Sequence, residues 1–190
     1  MPRRRAKQVK ARANAHVSER QIIDRIDEDE LIERLEALDE DPFILALDQV
    51  QDPHNLGACL RSAEAAGAHA VIAPQHRTVG LTDTVRRVSV GAADEIPYVQ
   101  VVNLGRTLER FKELGIWIVG TGDEESELIY NVNLDGPLCL VMGSEDSGIR
   151  SKTARLCDHL VKIPMLGMVD CLNVSVATGV CLFEAVRQRI

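Results

Sequence analysis

A chain of 190 residues, 45% apolar but only 3% aromatic, is long enough for one domain with a core of Val, Ile, Leu and Ala and too poor in rings to offer bases a stacking platform. Its net charge of −7 excludes a uniformly basic nucleic-acid binder, yet residues 1–23 hold seven Lys/Arg and one Glu while residues 24–41 hold ten acids and two Arg. Five cysteines form no C-x-x-C pair, which excludes a disulfide frame or zinc finger; with no secretory segment and no run of the roughly 20 apolar residues that cross a bilayer, the expectation is a soluble cytoplasmic protein.

Residues 1–16 contain no acid, and Arg3, Arg4, Arg5, Lys7, Lys10 and Arg12 read as a basic arm for phosphates or as a solvated tail. Over 19–38, Ile22, Ile23, Ile26, Leu31, Ile32, Leu35 and Leu38 recur at three-to-four spacing, which predicts one or two amphipathic helices before Pro42. The expected division is therefore an arm with a short helical segment over 1–41 and the main domain over 42–190. In that domain apolar runs predict strands at 43–47, 70–73, 97–101, 116–120, 138–142 and 160–163, with Trp117 inside the fourth. Helical patterns fall at 57–67, 82–90 and 104–114, and a last helix begins near Asn173 and continues through the apolar run 180–190. Strands alternating with helices, without a hairpin dipeptide, predict an α/β fold: a mostly parallel sheet with helices on both faces and ligands beyond the carboxyl ends of the strands.

Three loops at those ends carry the chemistry. In the first, Asn55 is placed as a helix cap, and Arg61 lies about one and a half turns further on, suited to hold a phosphate or carboxylate bidentately or to make a surface ion pair. In the second, Gly143-Ser144-Glu145-Asp146-Ser147-Gly148, a tight turn lets Glu145 accept from a ligand and lets a ligand approach Gly143; Asp146 and Ser147 also suit a helix cap. In the third, the chain from Ile163 to the helix at Asn173 and Ser175 offers free backbone N–H groups to a polar ligand, or only caps. His54 is a candidate proton acceptor or a plain turn residue. The histidines lie at no metal-ligand spacing, so no metal is expected. A dinucleotide-dependent dehydrogenase fails for want of G-x-G-x-x-G.

Together the motifs Asp52-Pro53-His54-Asn55-Leu56-Gly57-Ala58-Cys59-Leu60-Arg61-Ser62, Leu140-Val141-Met142-Gly143-Ser144-Glu145, and Ile163-Pro164-Met165 with Leu172-Asn173-Val174-Ser175-Val176-Ala177-Thr178 resemble the SpoU (TrmH-type) branch of the SPOUT RNA methyltransferases, over about 43–189. Within that branch the chain looks most like the 23S rRNA guanosine 2′-O-methyltransferases. The resemblance implies a C-terminal trefoil knot, otherwise a rare exception among folds. It implies S-adenosylmethionine bound in the knot, an RNA ribose 2′-O-methyl transfer, and a homodimer whose second subunit helps complete the site. Asn55, Arg61, Glu145 and Asn173 match catalytic positions of the family. Gly143, Ile163 and Leu172 match cofactor-holding positions, with Thr121, Gly122 and Met165 lining the same pocket. A guanidinium with pKa above about 12 is a poor base, so Arg61 is assigned to the target phosphate, with Asn55 and Glu145 orienting the hydroxyl or Arg61.

Two features depart from the family pattern. Cys171 stands where the family usually has Ser, and is the weaker hydrogen-bonding group. The residues before Phe43 are too few and too helical for the separate N-terminal RNA-binding domain of the rRNA enzymes. They leave two alternatives open: a tRNA 2′-O-methyltransferase that uses the basic arm, and a catalytically idle RNA-binding or ribosome-assembly protein on the same fold.

Overall fold

A computed structural model of the protein describes residues 26–123, 125–145 and 147–190; the basic arm, the helical pattern before Ile26 and the Asp146 cap lie outside the described residues. What is described of the expected N-terminal helices is α1 (Glu28–Glu36). Asp27 caps it by accepting from the Glu30 N–H, and acids crowd its first turn, where they favour the helix dipole. Leu31, Ile32 and Leu35 form its buried face, and Arg110 clamps its start at 2.9 Å from both Glu28 and Asp29.

The domain proper alternates β1 (Phe43–Asp48), α2 (Pro53–Ala65), β2 (Ala70–Pro74), α3 (Asp83–Ser89), β3 (Tyr98–Val101), α4 (Leu104–Glu113), β4 (Trp117–Thr121), β5 (Glu127–Leu128), β6 (Leu138–Gly143), α5 (Ser151–Ala154), β7 (His159–Lys162) and α6 (Val174–Arg189). The strands form one parallel sheet in the order β3-β2-β1-β6-β4-β7-β5. Alternate residues of β1 enter different cores: Phe43, Leu45 and Leu47 pack with residues of α2, α3 and α6, whereas Ile44 and Ala46 pack with α1 and α4. Burial on both faces explains why this strand is apolar throughout. The expected α/β architecture with helices on both faces holds.

β5 and α5 escaped the sequence pattern because two and four residues are too few to display a period. Trp117 also departs from expectation: it opens β4 but is 56% exposed. β6 flanks it through Leu138, but on the β7 side pairing starts only at Val119 opposite His159, and the indole stacks on the His159 ring at 5.7 Å.

The path near the carboxyl end of β4 is unusual. β7 lies between β4 and β5, which residues 122–126 join directly, so this bridge carries the chain across β7. The Gly122 N–H donates to the Val161 carbonyl at 2.8 Å, and a Cβ on Gly122 would stand 3.2 Å from that of Leu160. The chain leaving β7 becomes α6, whose far end is tied to residues 132–136. The Leu134 N–H donates to Gln188 Oε1 at 2.8 Å, Gln188 Nε2 donates to the Val132 carbonyl at 3.1 Å, and Arg189 donates to the carbonyls of Leu134 and Gly136. Arg189 also covers the Phe43 ring at 4.3 Å. The trefoil knot expected of the C-terminal segment is consistent with this path.

Two expectations follow. Val90 closes α3 in the left-handed region (φ 54°), a conformation costing a β-branched residue about 1–2 kcal/mol, and it is 69% exposed, so little packing is lost on replacement. Val90→Gly should raise the unfolding free energy by about 1 kcal/mol in urea titration. Glu184, buried on α6, accepts from Arg187 and Gln188; chiefly through Arg187 its carboxyl is held down from the usual 4.5 to about 2. A depressed carboxylate gives stability that is fully present above the unfolded value and lost as pH falls through the folded one. Glu184→Gln should therefore flatten the fall in urea midpoint that the parent protein shows between about pH 4.5 and 2.

Candidate active site

β1 and β6 pair over six positions, from Phe43 opposite Leu138 to Asp48 opposite Gly143, and so deliver two of the three loops side by side. After β1, helix α2 starts earlier than the pattern over 57–67 suggests. Asp52 caps it by accepting from the His54 and Asn55 N–H groups at 2.6 and 3.2 Å, and Pro53 occupies the first turn. Proline has the fixed φ that this place needs and no N–H to waste. Asn55 is therefore not the cap; it is the third helical residue. Its side chain, released from capping, is free for tertiary contacts.

After β6, Ser144 and Gly148 pair in both directions, with N···O distances of 3.1 and 2.9 Å, and their turn is reinforced by Ser144 Oγ against Ser147 Oγ at 2.8 Å. A Cβ on Gly143 would overlap the Gly148 carbonyl carbon and the Ile149 amide nitrogen, so the turn folds this tightly only over glycine. Glu145 stands in the turn, exposed.

The third loop ends at Asn173, the N-cap of α6. Its Oδ1 accepts from the Ser175 N–H and Oγ–H at 3.0 and 2.6 Å. That fixes the amide, leaving Nδ2 to donate to Asn55 Oδ1 at 2.9 Å and to Glu145 Oε1. Asn55 Nδ2 donates to the same Glu145 oxygen at 3.2 Å, and so does the Val174 N–H at 3.1 Å. One carboxylate oxygen thus gathers three N–H donors from α2 and α6. Of the two expectations for the start of α6, the capping one holds: the N–H groups of Val174 and Ser175 are taken by Glu145 and Asn173 and not left for a ligand. Glu145 Oε2 and the remaining N–H of Asn55 have no hydrogen-bond partner among the described residues.

The other expected residues sit on α2, at the end of β4 and on the loop from β7 to α6. Arg61 is exposed on α2, and no acid among the described residues pairs with it. His54 is exposed, its backbone N–H held by Asp52. Thr121 closes β4, with Oγ1 3.5 Å from the Val141 carbonyl, and Gly122 follows it at the bridge. Ile163, Met165 and Leu172 are half-buried on the loop from β7 to α6, and Cys171 is exposed there. Burial pushes the Cys59 thiol up to about 11 and those of Cys157 and Cys181 to about 12, which makes them poor nucleophiles at neutral pH. Sequence reading missed Asp48 and Arg150, an ion pair beneath the site. The available signal was a lone acid ending an otherwise apolar strand.

The SpoU rRNA Methylase family profile matches residues 42–183. The chain is 56% identical over 159 residues to the 23S rRNA (guanosine-2'-O-)-methyltransferase RlmB of Ralstonia nicotianae, covering 84% of this chain and 64% of that protein. It is 54% identical over 162 residues to the RlmB of Escherichia coli, covering 85% and 66%. It spans about two thirds of the length of these curated relatives. Among solved structures it is similar to the SpoU methyltransferase AviRb from Streptomyces viridochromogenes in complex with AdoMet, with TM-score 0.74 and 31% identity over 80% of this chain and 59% of that one. It is also similar to the A. aeolicus TrmH/SpoU tRNA modifying enzyme, with TM-score 0.72 and 30% identity over 85% and 83%. On the extent of the profile match and of these identities, the chain belongs to the SpoU rRNA methylase family.

Proposed function

We propose that the protein is an S-adenosylmethionine-dependent RNA ribose 2′-O-methyltransferase acting on a guanosine of 23S rRNA. The observation that carries the reading is the convergence of Asn55, Glu145 and Asn173 into one network, with Arg61 exposed on the same helix as Asn55 and paired with no acid among the described residues. Guanosine and 23S rRNA rest on the names of the relatives, and an RNA substrate accords with a cytoplasmic setting.

The residues present fit the cofactor. Half-buried Ile163, Met165 and Leu172 would give an adenine ring its apolar contacts, with strand-end backbone groups at Thr121, Gly122 and Gly143 for its polar edges. When bound, S-adenosylmethionine supplies an electrophilic methyl group with a good leaving group. The protein is left to position and polarise the ribose hydroxyl. Glu145, fixed through Oε1, accepts from the 2′-OH with Oε2 and aligns its lone pair. Asn55 and Asn173 keep that carboxylate in one orientation, and Arg61 grips the adjoining phosphate.

The proposed homodimer is supported by apolar groups left in water: Leu166 at 97% and Met168 at 101% exposure, with Val169, Val176 and Phe183 more than half or half exposed. Val176 and Phe183 are seven residues apart and so share one face of α6. A tRNA enzyme is the second reading, favoured by the likeness to the A. aeolicus structure. The idle-protein alternative is disfavoured by the complete network.

Tritiated-methyl transfer to ribosomal RNA and to bulk tRNA, with nucleoside identification, tests the reading. 2′-O-methylguanosine in rRNA is the expected product, label confined to tRNA moves the assignment to the second reading, and no transfer to either refutes both. Arg61→Ala should reduce transfer at least 100-fold, on the order of a lost phosphate clamp, with cofactor affinity by calorimetry changed no more than a few fold. Phe183→Glu should convert a dimer to a monomer in light scattering and lower the rate; a parent protein already monomeric would refute the dimer.

A further inference from the structure

Asp48 is 0% exposed, although a buried charge is costly unless it is well paired. It is the last residue of β1 and stands opposite Gly143, the last of β6. Its partner is Arg150, which follows the Glu145 turn and has a side chain 42% exposed. Two contacts join them: the Arg150 N–H donates to Oδ2 at 3.0 Å, and Arg150 Nε lies 2.7 Å from Oδ1. The second is held by charge and not by direction, since Oδ1 has no well-aligned donor. Within the next seven residues the chain from Asp48 reaches Asn55, passing Gln49 in the left-handed region at φ 69°. From Arg150 the chain runs back through the Ser144–Gly148 pairing to Glu145.

One ion pair therefore ties the root of the Asn55 loop to the root of the Glu145 turn. We propose that Asp48 and Arg150 are positioning residues for the methyl transfer proposed above: their contact sets the distance between the two loops, so that Asn55 and Glu145 meet before RNA arrives. The inference rests on that functional reading only for its kinetic arm. Burying a carboxylate at the end of a central strand gains less stability than an apolar residue there would, whereas a fixed charge pair joins the roots of two turns that meet again through Asn55 and Glu145.

The test compares the full-length protein with Asp48→Asn and with Arg150→Lys, which keeps the charge but not the Nε contact. The first readout is the side-chain amide signals of Asn55 and Asn173 in a nitrogen–proton correlation spectrum. In both variants these signals should collapse toward the positions of unconstrained amides. The second is turnover per cofactor-binding site, which should fall roughly 10- to 100-fold for Asp48→Asn, the scale of a displacement of about 1 Å, with KM for RNA changed less than threefold. Arg150→Lys should fall less. Amide signals unchanged in a folded Asp48→Asn protein, or turnover per site unchanged, would overturn the proposal. If Asp48→Asn does not fold, Arg150→Lys at a half-exposed position decides it by the same readouts. The amide signals report even if no RNA accepts methyl, so failure of the functional reading and failure of this one are separable.

Discussion

The pairing of β1 with β6 is the constraint on which the rest depends. The two strands are separated by most of the domain in sequence, yet they lie side by side in the sheet for six residues, every one buried. Parallel strands end at the same edge, so the pairing fixes where both following turns begin. An error of one register step would exchange the two cores and would carry Glu145 about 3.3 Å along the strand direction from Asn55. The strand pairing thus sets where the two turns begin, and the polar groups set how they meet.

Polar groups are connected in tiers above that edge. Gly143 allows the turn to close on itself, Asp52 turns Asn55 away from capping duty, and Asn173 caps α6 with one end of its amide while reaching Asn55 and Glu145 with the other. Each of these groups does structural work and site work at once.

Much of this was legible in the sequence, for definite reasons. Strands buried on both faces are continuous apolar runs, so β1, β2, β4 and β6 announced themselves, and the three loops at their carboxyl ends were found because parallel sheets place ligands there. Glu145 and Asn173 lie in the turn and at the helix start where they were expected, whereas Arg61 falls in the third turn of α2 because that helix starts at Pro53. What escaped was of two kinds. β5 and α5 are too short to show a period, and Trp117 looked buried because a strand pattern does not reveal which neighbour begins late. The role given to Asn55 as a cap was wrong because Asp52-Pro53 is a stronger helix start, a contest that residue preferences at one position do not resolve. The closure of the Val174 N–H by Glu145 is a contact across 29 residues, and nothing local encodes it.

The bridge over β7 also bears on time. Residues 122–126 cross β7, and Asn173 follows β7 in the chain, so the network around Glu145 cannot close until the sheet's last inner strand is seated and α6 has docked on α2. Contacts between residues so distant in sequence form slowly, because loop closure must precede any gain from them. A chain whose sheet has otherwise assembled would still lack its site. An immature molecule would have neither an oriented Glu145 nor a capped α6.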